Sequence, residues 1–139
     1  MTSPLENLLE SGQLHRERAD SAEYEGLLRS GRLRLADAEN ADNSLESRFD
    51  LAYNAAHALC LAALRRSGFR PPNRYIVFQV LPHTLRLGPN VWRVLAKCHA
   101  IRNQGEYEGD LNVDERLVGD LLTACKAVDG ALAKLPAIP

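Results

Sequence analysis

"DNSLESRFDLAYNAAHALCLAALRRSGF", residues 42–69, decides the fold. Leu45, Phe49, Ala52, Ala56, Leu59 and Ala63 recur at helical spacing and mark one apolar face, which Tyr53, Cys60 and Leu64 widen. Ser44 can accept from the amide three residues on, as in a capping box, although Ser47 stands where Glu or Gln is usual. Gly68 is the stop signal, and the "RPPN" that follows forbids continuation. So much alanine lets neighbouring helices approach closely, so this is the expected central helix of a bundle.

The flanks read as helices too. "PLENLLESG" (4–12) is a short helix with Pro4 near its start and Gly12 as its stop. A polar connector, Gln13 to Asp20, leads to Ser21, a candidate N-cap for the helix carrying Tyr24, Leu27, Leu28, Leu35 and Ala38. Gly26 and Gly31 either weaken that helix, by up to about 1 kcal/mol each relative to alanine, or permit close packing. "YIVFQVL" (75–81) is rich in β-formers, but a lone strand without a partner would leave its backbone unpaired. A helix is therefore expected, bent or ended at Pro82. "GPNVWRVLAKCHAIRNQG" (88–105) aligns Val91, Val94, Leu95, Cys98 and Ile101. A last helix, from about Asn112 to Leu135, turns Val113, Leu117, Leu121, Leu122, Cys125, Val128 and Leu132 inward. The expected fold is all-α: an up-and-down bundle of four to five main helices over residues 21–139, after a short helix and connector in residues 1–20.

A chain of 139 residues with 45% hydrophobic and 25% charged residues and a net charge of −1 suits one globular domain. No apolar run approaches the roughly 20 residues of a membrane helix, and the N-terminal residues lack the pattern of a signal peptide. Cys60, Cys98 and Cys125 stand apart in apolar surroundings without paired ligand spacing. Reduced, buried thiols in a cytoplasmic protein are expected, with no metal and no cofactor.

The net charge hides a segregation. Between Leu51 and Gly105 there is no Asp or Glu, while Arg65, Arg66, Arg70, Arg74, Arg86, Arg93, Lys97 and Arg102 lie there with three histidines. Either these cations pair with the acidic outer helices, or some of them converge on an anionic ligand. Gly-rich phosphate loops, HExxH, GxSxG and EF-hand patterns do not occur. His15 lies in the connector, His57 suits a structural role on the long helix, and His83 follows Pro82. Cys98 and His99 point about 100° apart on a helix and make no nucleophile–base pair. What remains is His99, Arg102 and Asn103, on one helix face by their spacing of three and four. Tyr107 can return toward that face if the chain turns at Gly105. The same residues also suit a helix C-terminus, where cations complement the dipole and Asn and Gly cap.

Two stretches resemble the HEPN superfamily of prokaryotic helical bundles. "SRFDLAYNAAHALCLAALRRSGFRP" (47–71) looks like the long family helix, and "IRNQGEYEG" (101–109) is similar to the late R-x4-Tyr and RN-x3-His elements. The resemblance covers about Ser21 to Leu135. It implies a homodimer whose late motifs face a shared cleft, and a role in a toxin–antitoxin-like pair with a minimal nucleotidyltransferase. Active members are metal-independent ribonucleases, in which the motif arginine steadies the scissile phosphate and the histidine handles the proton. Arg102 and Asn103 match the family's pair, but Glu106-Tyr107-Glu108 stands where the histidine belongs. A phenol, with a pKa near 10, is a poor base at neutral pH, and flanking carboxylates repel phosphate. The resemblance thus implies binding of RNA or a nucleotide, with nuclease activity weak or absent. Arg102 would contact phosphate and Asn103 would orient Arg102 or the ligand, while Tyr107 would stack, hydrogen-bond or be modified by the partner. The alternatives are an active endoribonuclease in which His99 or Tyr107 replaces the missing histidine, and a structural or scaffolding module.

Overall fold

The computed structural model describes residues 3–109 and 111–138, and for residues 106–108 the backbone alone. The architecture is an all-helical bundle. Its long helices are α2 (Ser21–Glu39), α3 (Leu45–Arg66), α6 (Pro89–Glu108) and α7 (Glu115–Ala133). The short α1 (Pro4–Glu10) precedes them, and two single-turn helices, α4 (Ile76–Gln79) and α5 (Leu81–Thr84), link α3 to α6. α3 is central: it packs on α2, α6 and α7 as well as on α4 and α5. Phe49, Ala52, Tyr53, Ala56, Leu59, Cys60, Ala63 and Leu64 are all buried, as the alanine-rich pattern requires. The Ser44 hydroxyl accepts from the Ser47 amide at 3.1 Å, and Gly68 follows the helix end at φ 92°.

Gly31 explains how closely α2 lies on α3. A Cβ there would meet the Leu59 side chain at 2.8 Å and the Ala55 carbonyl oxygen at 3.3 Å. Gly26 faces no such neighbour, so close packing accounts for one of the two glycines.

Several boundaries differ from the sequence expectation. Asp20, not Ser21, caps α2, its carboxylate accepting from the Ala22 amide. α7 begins after Asp114, whose side chain accepts from Leu117 N–H, rather than at Asn112. "YIVFQVL" is helical, but it breaks at Val80 into two separate turns, and Pro82 occupies the tolerated first turn of the second. Gly105 does not turn the chain. It is buried inside α6, which runs on to Glu108 and is closed by Gly109 in the left-handed region at φ 75°.

The connector also holds what the sequence pattern did not signal: a two-residue strand, β1 (His15–Arg16), paired antiparallel with β2 (Phe69–Arg70). Periodicity cannot reveal a strand of that length. Arg65, only 2% exposed, locks this junction. Its Nε donates to Glu23 at 2.6 Å, and its terminal nitrogens donate to the carbonyls of Glu17, Arg18 and Phe69. Arg70 completes the network with Glu17 and Glu23, the Glu23 bond at 2.8 Å. These hydrogen bonds hold the Glu17 carboxyl below its ordinary range, chiefly through Arg70. For Glu23, burial opposes ionisation, and the bonds from Arg70 and Arg65 outweigh it.

Arg65→Met should destabilise the fold by about 3 kcal/mol in urea unfolding, because three carbonyls and a part-buried carboxylate lose their donor. Arg65→Lys should recover little of this, since one ammonium cannot reproduce the fork. In the same assay Gly31→Ala should cost about 1–3 kcal/mol by overpacking against Leu59. By contrast, Gly119→Ala or Gly130→Ala, whose positions in α7 are open, should stabilise by about 0.5–1 kcal/mol.

Candidate functional site

The basic segment divides in the folded chain. Arg65 and Arg70 are consumed by Glu17 and Glu23, and Arg66 donates to the Pro136 carbonyl at 2.6 Å. For these residues, pairing with the outer elements is the outcome. Arg74 and Arg102 instead gather around two imidazoles.

α6 presents His99, Arg102 and Asn103 together, as their spacing requires. Asn103 Nδ2 lies 3.1 Å from His99 Nε2, one helical turn away. The other ring nitrogen, Nδ1, lies 2.8 Å from the hydroxyl of Tyr53, which is buried on α3. A neutral imidazole has one donor and one acceptor, so the two contacts are linked. If Nδ1–H donates to Tyr53, Nε2 accepts from the Asn103 amide group as it is placed. If Tyr53 donates to Nδ1, Nε2–H must donate, and Asn103 must turn its carbonyl oxygen toward the ring. Either arrangement fixes the ring at both ends.

The surroundings keep that ring neutral. Burial, followed by the charges of Arg102 and Arg74, lowers the His99 pKa. His57, one turn after Tyr53 on α3, is lowered further, to about 4, first by burial and then by Arg74, His99 and Arg102. Phe78 on α4 packs between them, with ring centroids 6.0 Å from His99 and 6.3 Å from His57. The Arg102 guanidinium carbon lies 4.9 Å from the Tyr53 ring centroid, a cation–π contact that orients its planar fork. Arg74, exposed on the turn after β2, reaches Asn54 Oδ1 at 3.4 Å. The Tyr75 ring beside it lies 5.3 Å from His99.

The structure thus brings His99, Arg102 and Asn103 together. The Tyr107 side chain lies outside the described residues; its backbone continues α6, one turn beyond Asn103. Cys98 is buried with its thiol pushed up to about 12, and burial pushes Cys125 equally high, so neither is a nucleophile. Sequence reasoning missed Tyr53, Arg74 and Tyr75. Tyr53 read as part of an apolar face, yet a phenol in a core needs a polar partner, and His99 is the one it finds. Arg74 stood among the cations of the basic segment with nothing to single it out, and Tyr75 read as the start of the helix over 75–81.

Chemically, the arrangement offers a guanidinium fork for a phosphate, a second arginine nearby, and an imidazole in its basic form at pH 7. Among the described residues no helix is long and apolar enough to cross a membrane. No protein family, curated protein or solved structure matches the chain.

The His57 pKa implies a pH-dependent stability. Its folded value lies below the unfolded 6.5, so the unfolded chain takes up the proton first. The contribution is full above pH 6.5 and is lost as the pH falls toward about 4. Denaturant midpoints should therefore drop between pH 7 and pH 5, and His57→Gln should flatten that drop.

Proposed function

We propose that this chain is a HEPN-like helical module that binds the phosphates of RNA or a nucleotide through its arginine-bearing face. In this reading it works as a homodimer within a two-protein, toxin–antitoxin-like system, and its nuclease activity is weak or absent. The observation that carries the reading is the convergence of His99, Arg102 and Asn103 beside Arg74, on a face where both histidines are held neutral. Arg102 grips phosphate, and Asn103 tethers the His99 imidazole one turn away on α6. A small nucleotidyltransferase encoded beside this chain would favour the two-protein reading over a scaffold.

A second reading, a metal-independent endoribonuclease, is favoured by one feature. His99 supplies an unprotonated imidazole one turn from Arg102, where the resembled motif lacks its histidine. For that role Asn103 must first release Nε2, since both ring nitrogens are engaged.

Binding is tested with labelled single-stranded RNA at several salt concentrations. Wild-type affinity should fall steeply with salt, and Arg102→Ala should weaken binding about tenfold and reduce the salt slope by about 1. Unchanged binding by a folded Arg102→Ala protein would leave the scaffolding reading standing. Incubation of the same RNA in EDTA separates the enzymatic reading: cleavage by wild type and not by Arg102→Ala would replace the binding role with catalysis.

A further inference from the structure

The turn that joins β2 to α4 carries residues that the resemblance leaves aside. Asn73 Oδ1 accepts from the Ile76 amide at 3.1 Å, which starts α4 and sets Tyr75 immediately before it. Tyr75 is 37% exposed, and among the described residues only Leu33 is also an exposed large hydrophobic side chain. Its ring is tilted by 45° against His99 and makes no capping bond for α4. Tyr75 is thus a partly exposed aromatic ring beside Arg74 and His99.

Tyr75 also lines a cleft of about 300 Å³ between the N-terminal connector and α4, shared with Gln13, Pro72, Asn73 and Gln79. That volume is at the small end for ligand sites and suits one planar ring system rather than a large ligand. The polar lining is made of carboxamides. Gln13 Nε2 donates one of its two hydrogens to Ser11 Oγ, which leaves its carbonyl oxygen and a second N–H to face a ligand. Asn73 accepts from the Ile76 amide through one lone pair of its carbonyl oxygen, which leaves its NH2 and a second lone pair. Gln79 is exposed and brings both functions. Carboxamides with donor and acceptor faces are the side chains that read nucleobase edges, and an aromatic ring is the platform on which a base stacks.

We propose that this cleft is a nucleobase subsite: a base stacks on Tyr75 and is read by Gln13, Asn73 and Gln79, while its phosphate reaches Arg74 and Arg102. This rests on the phosphate-binding reading above and adds the base to it. The occupant is a base of single-stranded RNA; a free nucleotide offers the same chemistry and is separated by the test.

Binding of a short labelled single-stranded RNA is measured by anisotropy for wild type, Tyr75→Ala, Tyr75→Phe, Tyr75→Trp and Arg102→Ala. An abasic strand with the same backbone is measured in parallel, and unlabelled adenosine monophosphate and ribose 5-phosphate serve as competitors. Tyr75→Ala should weaken RNA binding about tenfold, whereas the Phe and Trp variants keep it, because stacking needs a ring and not a hydroxyl. On the abasic strand Tyr75→Ala should bind like wild type. Adenosine monophosphate competing better than ribose 5-phosphate would support the base contact. A nucleotide that binds while RNA does not would assign the same cleft to the free ligand. Full RNA binding by a folded Tyr75→Ala protein, with Arg102→Ala still defective, would overturn the subsite and leave the phosphate reading intact. Wild type that binds neither RNA nor nucleotide would overturn both.

Discussion

The buried guanidinium of Arg65 is the interaction on which the rest of the molecule hangs. It sits in the last turn of α3, where its charge also complements the helix dipole, and it gathers the backbone of the connector and of β2 around itself. A buried cation is costly unless paired and saturated with acceptors, and here Glu23, Glu17 and three carbonyls meet that demand. Burial of this one group thereby dictates where the chain leaves α3. That exit sets the course of the turn through Pro71 and Pro72, and so where Arg74 and Tyr75 stand relative to α6.

The second constraint is the small-residue seam between α2 and α3. With Gly31 against Leu59 and alanines along α3, the two helices lie close enough that the opposite side of α3 is left to α4, α6 and α7. Tyr53 and His57 come from that opposite side. They are one turn apart on the central, most buried helix of the bundle and meet α6 at His99. Groups whose chemistry depends on orientation are thus anchored on packed helices, and only Arg74 and Tyr75 are delivered by a turn.

Much of this was legible in the residues. The apolar face of α3, its Ser44 cap, its Gly68 stop and the inward Leu121, Leu122, Cys125, Val128 and Leu132 of α7 follow from spacing alone, because burial of one helix stripe is a local demand. The His99, Arg102 and Asn103 grouping was legible for the same reason, being internal to one helix. The two-residue sheet was not, since its pairing joins residues more than fifty positions apart and carries no repeat of its own. The link from Tyr53 to His99 was hidden in the same way. Gly105 misled because glycine favours helix ends, whereas here Gly105 lies buried inside α6 and Gly109, at φ 75°, makes the turn. The charge-segregated segment 51–105 held two answers at once: Arg65 and Arg70 pair structurally, and Arg74 and Arg102 gather at the histidines.

The small sheet has a consequence for local opening. The Glu17 amide donates to the Gly68 carbonyl at 3.0 Å, and Arg65 ties Glu17, Arg18 and Phe69 to one guanidinium. The connector and the start of β2 are therefore held to α3 by one shared set of hydrogen bonds. Under the base-stacking proposal, a ligand lying between Tyr75 and Gln13 would slow hydrogen exchange at the Glu17 amide without touching it. The N-terminal connector, remote in sequence from every residue of the α6 site, would in this way be coupled to it.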